Sequence, residues 1–359
     1  MTKLSMLTNF EEVFEDVTKS FIKIDTDQYL EKGTYPVIDQ GEKPIAGFTD
    51  LDLSKCDIKP PFIVFGDHTR RFKYIDFDCC LGADGTKVLK PKIDADVKFL
   101  FYALKNTQLE NNGYSRHYKF LKRKSIYLPP LAEQQRIAAI LDKAELVKRK
   151  RELAIEKLDG LAQSIYRKDF SNSASIKLEE ICSFQNGGTP SKEVSEYWDG
   201  DIAWISSADI VGSKIQYGRN FITTLGVDNS ATNIAPKGTI LIVTRTGVGK
   251  VAVTDRPTAF SQDIVSITLK KGFDINFVCE ALKNNLPYFL SHARGATIQG
   301  ITRSVLASAI IPKVDEGGQN IFGKIISAIN EKNHLFIKSL GDIESLGSSL
   351  QSKAFSGQL

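Results

Sequence analysis

The cysteines of this chain form no recognisable bonding or metal-binding pattern. Five are present, which is an odd number, and no two are spaced as Cys-x-x-Cys. They stand at Cys56, Cys79, Cys80, Cys182 and Cys279. The four histidines are dispersed, so no cysteine and histidine cluster has the spacing of a zinc site. We therefore expect free thiols in a reducing compartment and no bound metal.

Long apolar runs are also missing. The stretch 1–17 is interrupted by acidic residues and lacks the apolar core of a secretion signal. The longest apolar stretches, such as 240–243, have the length of a strand and are too short to cross a bilayer. We predict a cytoplasmic protein that does not contact a membrane.

Motifs of catalysis are absent as well. The sequence has no Asn/Asp-Pro-Pro-aromatic motif of base methylation. The glycine-rich stretch 244–250 fails as a Walker loop, which needs Gly at the position of Thr244 and Ser or Thr at that of Val251. That stretch is either a tight turn between two strands or a DNA contact through Arg245 and Lys250. We predict a chain without catalytic activity of its own.

Neither sign of charge dominates the sequence. A net charge of +4 permits nucleic-acid binding without requiring it, so the placement of the charges matters more than their sum. The 359 residues are enough for two domains, each with its own core.

An internal repeat is the most informative feature that is present. Residues 132–168 and 320–353 read as long helices, each with a seam of positions spaced alternately four and three apart. The first seam is Ile137, Leu141, Ala144, Lys148, Arg151, Ile155, Leu158, Ala162 and Ile165. The second is Phe322, Ile326, Ile329, Asn333, Phe336, Leu340, Ile343, Gly347 and Leu350. Each member of the second seam follows its counterpart by 185 residues (322 less 137).

Three polar residues interrupt these seams, namely Lys148, Arg151 and Asn333. They either extend out of the seam to reach water or fix the register of the helices, as a buried Asn does in some coiled coils. The flanks of the helices repeat too. The tetrapeptide Ala-Leu-Lys-Asn occurs at 103–106 and again at 281–284, both on expected short helices. The chain is therefore two copies of a unit made of one globule and one helix.

The fold class that we expect is α+β, a mixed α/β protein. Each globule reads as short strands, such as 62–65, 239–244, 251–253 and 264–269, in one irregular and mostly antiparallel sheet. Almost no linker separates globules from helices, and a helix of this length measures about 50 Å. A parallel pairing would require the chain to travel back that far. We therefore expect an antiparallel coiled coil with a globule at each end, a dumbbell of approximate twofold symmetry.

Two motifs resemble the specificity subunits of type I restriction–modification enzymes. The run Leu-Pro-Pro-Leu-Ala-Glu-Gln-Gln-Arg-Ile at 128–137, followed by a long helix, resembles the central repeat of that family. Gly-Gly-Thr-Pro-Ser at 187–191 and Tyr-Trp-Asp-Gly-Asp-Ile-Ala-Trp-Ile at 197–205 resemble the start of a target recognition domain. The first globule lacks both of these, and the second helix entry has Gly317 and Gly318 where the first has Gln134 and Gln135.

The resemblance implies target recognition domains at 1–128 and 171–311 and repeat helices at 129–170 and 312–359. It implies that the chain reads the two halves of a split double-stranded DNA site. It also implies two methyltransferase subunits that carry S-adenosylmethionine, and restriction subunits that use ATP and magnesium. The chain itself is expected to bind no cofactor. A methylation-only or type IIB-like system and a coiled-coil scaffold without DNA function are the alternatives.

Candidate DNA contacts lie in stretches rich in basic residues, because phosphates attract Arg and Lys while base edges suit Arg, Thr and Gln. In the first half, 113–124 interleaves basic and aromatic residues, and 66–71 follows a strand. In the second half, 281–314 contains no Asp or Glu. The candidates are Arg70, Arg71, Tyr114, Ser115, Arg116, Lys119, Lys122, Thr189, Arg245, Lys250, Arg294, Thr297, Gln299 and Arg303. Solvated basic loops are the alternative interpretation.

Overall fold

Two long helices are shared between two units of the fold. The computed structural model of the protein describes residues 6–53, 56–82, 84–110, 115–295 and 299–359. Unit 1 consists of Met1–Arg151 with Ser339–Leu359, and unit 2 is Glu152–Lys338. The domain limits inferred from the sequence repeat treat each helix as a separate element and remain a prediction.

Unit 1 is built on two four-stranded sheets. Its strands are β1 (Leu7–Asn9), β2 (Phe14–Asp16), β3 (Lys23–Ile24), β4 (Tyr35–Ile38), β5 (Gly47–Thr49), β6 (Phe62–Gly66), β7 (Phe72–Ile75), β8 (Cys80–Gly82), β9 (Thr86–Pro91) and β10 (Ser125–Tyr127). Its helices are α1 (Phe10–Val13), α2 (Val97–Lys105), α3 (Tyr118–Leu121) and the first part of α4 (Leu131–Phe170). The antiparallel sheet has the order β2-β9-β6-β7, the mixed sheet has the order β3-β8-β4-β5, and β1 pairs with β10.

Unit 2 repeats this plan with additions. Its strands are β11 (Ser175–Lys177), β12 (Cys182–Asn186), β13 (Trp198–Ile205), β14 (Ile210–Val211), β15 (Lys214–Ile215), β16 (Asn220–Ile222), β17 (Ile234–Ala235), β18 (Ile240–Val243), β19 (Val251–Val253), β20 (Thr258–Phe260), β21 (Ile264–Leu269) and β22 (Ile310–Pro312). Its helices are α5 (Leu178–Ile181), α6 (Thr224–Asp228), α7 (Ile275–Asn284), α8 (Leu286–His292), α9 (Arg303–Ala307), the part of α4 that begins at Glu152 and the part of α10 (Glu316–Ser356) that ends at Lys338.

The strand order of the antiparallel sheet is the same in both units. In unit 2 it is β12-β21-β18-β19, while β16-β13-β20-β17 form the second four-stranded sheet, and β11–β22 and β14–β15 are separate pairs. Pairing is mostly antiparallel, as expected, but the expectation of one sheet per globule is wrong. Strands of two to eight residues, separated by Gly, Pro and Asn turns, are too short to extend one register across the whole globule.

The core of each unit includes both long helices. In unit 1, Phe65 of β6 and Phe99 of α2 pack in one cluster with Leu141 of α4 and Ala354 of α10, and all four are buried. In unit 2, α7 contributes Phe277, which contacts Tyr166 of α4 and Phe322 of α10 through their rings. Burial of this apolar surface attaches each globule to its helix segments.

A buried glutamine joins each globule to the start of a long helix. The Oε1 atom of Gln134 accepts a hydrogen bond from the Asp96 backbone N–H (2.9 Å), and its Nε2 donates to the Pro129 carbonyl (2.8 Å). In unit 2, Gln319 makes the equivalent bonds to Asp274 (3.1 Å) and Val314 (2.8 Å). The expected substitution of this glutamine by Gly317 or Gly318 is therefore wrong, because Gln319 follows Gln134 by the same 185 residues as the seam positions do.

Both long helices are present and exceed their expected limits by one to four residues at each end. Every position of the two seams is buried or half-buried. Within unit 1, Lys148 pairs with Glu344 (3.0 Å) and Arg136 donates to the Leu359 carbonyl (2.7 Å), so the two segments run antiparallel. No helix in the described part of the chain has the length and apolarity needed to cross a bilayer.

The helix segments of unit 2 are antiparallel as well. Asn333 donates to the Asp159 carboxylate (2.7 Å), and Phe170 packs on Phe322 with ring centroids 5.1 Å apart. Asn333 and Asp159 are the repeat counterparts of Lys148 and Glu344, each displaced by 185 residues. The same two repeat positions, one in the seam and one directly beside it, therefore make an interhelical polar contact in both units.

Candidate nucleic-acid interface

Two segments in each unit carry most of the candidate contact residues. In unit 1 they are loop A1 (66–71), which joins β6 to β7, and segment B1 (115–124), which contains α3. In unit 2 they are loop A2 (244–250), which joins β18 to β19, and segment B2 (294–303), which leads into α9. The chain reverses direction in A2 between antiparallel strands, so this stretch is a strand–strand connection, and a DNA contact through Arg245 and Lys250 remains a prediction.

Loop A1 and segment B1 are held together by the buried residue Asp67. Its backbone carbonyl accepts hydrogen bonds from the His117 backbone N–H (2.9 Å) and from His117 Nδ1 (3.0 Å). Its carboxylate accepts from the Tyr118 backbone N–H (2.7 Å). His117 is fully buried, and because a carbonyl oxygen only accepts, its Nδ1 carries the proton of this hydrogen bond. The two basic segments thus form one surface.

Loop A1 presents two arginines from a strained turn. Arg70 has φ of +59°, a left-handed conformation that costs a non-glycine residue about 1–2 kcal/mol. Its Nη1 donates to the Leu109 carbonyl (3.2 Å), which joins loop A1 to the segment that follows α2. Arg71 lies 3.3 Å from the Glu42 carboxylate in an exposed pair. Strain of this kind is concentrated at functional sites.

The candidate residues of segment B1 differ in their exposure to solvent and in their contacts. Arg116 and Lys119 are exposed, and the Lys119 ammonium lies 4.9 Å from the centre of the Phe120 ring. The hydrogen bond and charge of Lys122 lower the pKa of Glu11, to which it is ion-paired. Ser115 is half-buried, and its Oγ has no hydrogen-bond partner among the described residues. Tyr114 lies outside the described residues.

Loop A2 and segment B2 are joined through backbone groups. The Ile301 N–H donates to the Thr244 carbonyl (2.9 Å), and Arg294 and Gly300 exchange two backbone hydrogen bonds of 2.9 and 3.0 Å. Gly300 is required by close approach, because a Cβ there would lie 2.4 Å from Cγ of Arg245. Thr246 has φ of +53°, so A2, like A1, contains a strained non-glycine residue.

Gln262 connects further candidates to loop A2. Arg245 donates through Nη2 to the Gln262 carbonyl (3.0 Å) and lies 3.4 Å from the Asp263 carboxylate. Thr189 donates to the Gln262 side-chain oxygen. At the other end of A2, Lys250 donates to the Ser207 carbonyl (3.2 Å). The structure thus brings Thr189 close to Arg245, which the sequence separates by more than fifty positions.

Segment B2 exposes Arg294 and Gln299 to solvent. Arg303 packs over the Phe184 ring, with Cζ 5.6 Å from its centroid, and donates to the Phe184 carbonyl (3.3 Å). Thr297 lies outside the described residues. Arginine forks, amides and hydroxyls of this kind hydrogen-bond phosphate oxygens and base edges. Within the described ranges, no group of His, Cys, Asp and Glu could hold a metal ion.

Sequence reasoning found the basic residues but missed those that position them. Asp67, His117 and Gln262 bridge segments that are far apart in the sequence, and none belongs to a local motif. An Asp at the end of a strand and a His within a basic run are common in sequences. Their role in positioning the two segments becomes visible only when their hydrogen-bond partners are known.

The family described as the type I restriction modification DNA specificity domain matches residues 8–157 and 171–343. The specificity subunit of the EcoR124I/EcoR124II type I restriction enzyme of Escherichia coli is 26% identical over an alignment of 333 residues that covers 83% of this chain and 80% of that protein. The MjaIX specificity subunit of Methanocaldococcus jannaschii is 29% identical over 160 residues, 43% of this chain and 37% of that protein.

Solved structures share the fold. The S subunit of a type I restriction–modification system from M. genitalium aligns with a TM-score of 0.62 at 18% identity, over 97% of this chain and 95% of that one. A chain from a structural study of complex assembly and conformational transition of the type I R-M system aligns with a TM-score of 0.51 at 16% identity, over 98% of each chain.

Proposed function

Because this chain belongs to the type I restriction–modification DNA specificity family, we propose that it reads a split DNA target with one half-site for each unit. It is the DNA-recognition subunit of a restriction–modification system and not a catalytic one, as the names of its relatives indicate. The observation that carries the proposal is the repetition of one surface: a strained loop after a buried strand, hydrogen-bonded to a basic segment, in both units.

We propose further that α4 and α10 form one antiparallel coiled coil that fixes the distance between the half-sites. The seam burial and the antiparallel contacts within each unit support this arrangement. Only residues 171–174 separate α4 from β11, so the chain has no linker that could carry it back along a helix. Because DNA presents equivalent groove faces about every 34 Å, readers held apart by a stiff rod suit a gapped target.

The partners that we propose are double-stranded DNA, two methyltransferase subunits and restriction subunits with motor activity. In this arrangement the chain binds no cofactor itself, while its partners use S-adenosylmethionine, ATP and magnesium. We propose that the complex acts in the cytoplasm of a bacterial cell, where its DNA target lies. The exposed arginines of segments B1 and B2 supply the phosphate and base contacts that the chain needs for its own part.

Reconstitution tests this function. The purified chain should neither methylate nor cut DNA, with or without nucleotide and metal. Addition of the methyltransferase subunit encoded beside it should produce methylation at one split sequence, mapped by sequencing that detects modified bases. Methylation or cleavage that co-purifies with the isolated chain through every step would contradict the proposal, and so would methylation by the complex without sequence preference.

A further inference from the structure

A cationic cavity of about 530 Å³ lies beside loop A1 in unit 1. The charged side chains that line it are those of Glu42, Arg70, Arg71, Lys73 and Lys105. Four of these side chains are cationic and one is anionic, so the lining carries an excess of positive charge. A concave surface with such an excess concentrates field lines and attracts anions.

The four cations differ in how far they are already neutralised. Lys73 is only 11% exposed and is held by Asp39 (3.3 Å) and the Lys43 carbonyl (2.6 Å), so it belongs to the wall. Arg71 meets Glu42 in a pair whose side chains are 45% and 86% exposed, and such surface pairs contribute little and exchange easily. Arg70 uses one nitrogen on the Leu109 carbonyl, and its planar fork has further donors.

Lys105 is the fourth cation, at the last turn of α2. It is exposed, it lies 5.5 Å from the centre of the Phe101 ring, and it has no carboxylate partner among the described residues. Its repeat counterpart in unit 2 is Lys283, the lysine of the second Ala-Leu-Lys-Asn tetrapeptide. The two lysines occupy the same place on corresponding helices, so their surroundings can be compared directly.

In unit 2 the counterpart is neutralised. Lys283 is paired with Glu280 (2.5 Å), a carboxylate that is 1% exposed, and it also donates to Ser213 Oγ (2.8 Å). In unit 1 the position of Glu280 is occupied by Tyr102, whose hydroxyl donates to Asp142 (2.6 Å). The same lysine is thus satisfied within the fold of unit 2 and available for an outside anion in unit 1.

We propose that this cavity binds a backbone phosphate of the DNA that unit 1 reads. Lys105 and the guanidinium of Arg70 make the principal contacts. Arg71 leaves Glu42 and binds the phosphate oxygens instead, because charge-assisted hydrogen bonds to phosphate are strong. Phosphate contacts fix register and orientation without reading sequence. The inference rests on the proposed function, and it makes the two units unequal, because unit 2 has no such contact at Lys283.

The salt dependence of DNA binding tests the inference on the complex of the chain with its methyltransferase partner. The logarithm of the binding constant falls with the logarithm of salt concentration by about 0.9 for each phosphate contacted. Lys105→Gln should reduce this slope by about that amount, equally on DNA with and without the target, and leave the methylated motif unchanged. Lys105→Arg, which keeps the charge, should keep the slope. Arg71→Gln provides a second variant with the same expectation.

An unchanged slope in both Lys105→Gln and Arg71→Gln would overturn the inference while leaving the proposed function intact. Failure of the unaltered complex to bind DNA would overturn both. Inorganic phosphate at matched ionic strength separates the two possible sources of the anion. Suppose that phosphate raises the melting temperature of the unaltered chain but not of Lys105→Gln, while the two complexes show the same salt slope of DNA binding. In that case the cavity is a site for a free anion and the inference is wrong.

Discussion

Gln134 and Gln319 make the same pair of hydrogen bonds at corresponding points of the two units, and both are at least 97% buried. Each accepts from the residue whose side chain caps α2 or α7, since Asp96 and Asp274 also accept from the third residue of those helices. A single amide thereby fixes the start of a globule helix relative to the start of a long helix. The sequence contains no signal for this role beyond the repeat itself.

Replacement of Gln134 by alanine should lower the free energy of unfolding by about 1–3 kcal/mol, because the Asp96 N–H loses its acceptor in the interior. Gln319→Ala should have a similar effect in unit 2. Thermal unfolding of each variant measures the loss. The matched control is Gln135→Ala, an exposed neighbour in the same turn, which should leave the melting temperature within one degree or so of the unaltered chain. Equal loss in the control would show that the amide bonds carry no special weight.

At the scale of the helices, a polar contact joins the two long helices in each unit. Asn333 is 91% buried, its Nδ2 donates to Asp159, and its Oδ1 has no hydrogen-bond partner among the described residues. Burial raises the pKa of Asp159, although the charge of Lys283 opposes the shift. The folded state therefore favours the protonated acid, and stability is lost as pH rises from the ordinary carboxyl pKa through the raised one.

Asp159→Asn should raise the melting temperature at neutral pH, because it removes a partly desolvated charge while an amide oxygen still accepts from Asn333. Its new N–H also offers a donor to the unpaired Asn333 oxygen. The difference from the unaltered chain should shrink as pH falls through the raised pKa of Asp159, because the protonated carboxyl carries no charge. Asp159→Leu removes the acceptor and should lower the melting temperature at every pH. A destabilised Asp159→Asn would show that the ionised carboxylate is needed.

The proposal that the coiled coil fixes the distance between the half-sites also belongs to the scale of the helices. Insertion of one heptad after Lys150 and another after Lys338, close to the limits of the two units, preserves both seams. It would lengthen the rod by about 10 Å, since each residue rises 1.5 Å. That equals about 3 base pairs at 3.4 Å each, so the gap in the methylated motif should widen by that amount while both half-sites keep their sequence. An active variant with an unchanged gap would contradict the proposal that the coiled coil fixes this distance.

At the scale of the whole molecule, most of the successful predictions came from the heptad seams and the 185-residue repeat. The 185-residue offset located both long helices within four residues of their ends, because a heptad seam is a local signal. Sheet division was not predictable, since short strands such as β3 pair with partners far along the chain, here β8, through contacts that no local pattern encodes. The candidate site divides in the same way. Arg116 and Arg294 were found by composition, whereas Asp67 and Gln262, which position loops A1 and A2, were not.

The central claim is that each unit reads one half of a split target. Its most direct test is the methylated motif of the complex, mapped across a genome by sequencing that detects modified bases, for the unaltered chain and for Arg116→Ala and Arg294→Ala. A lost base contact costs about 1–3 kcal/mol. The account predicts a motif of two short elements with a fixed gap. Arg116→Ala should relax one element alone and Arg294→Ala the other alone. A continuous motif, or relaxation of both elements by either single replacement, would contradict it.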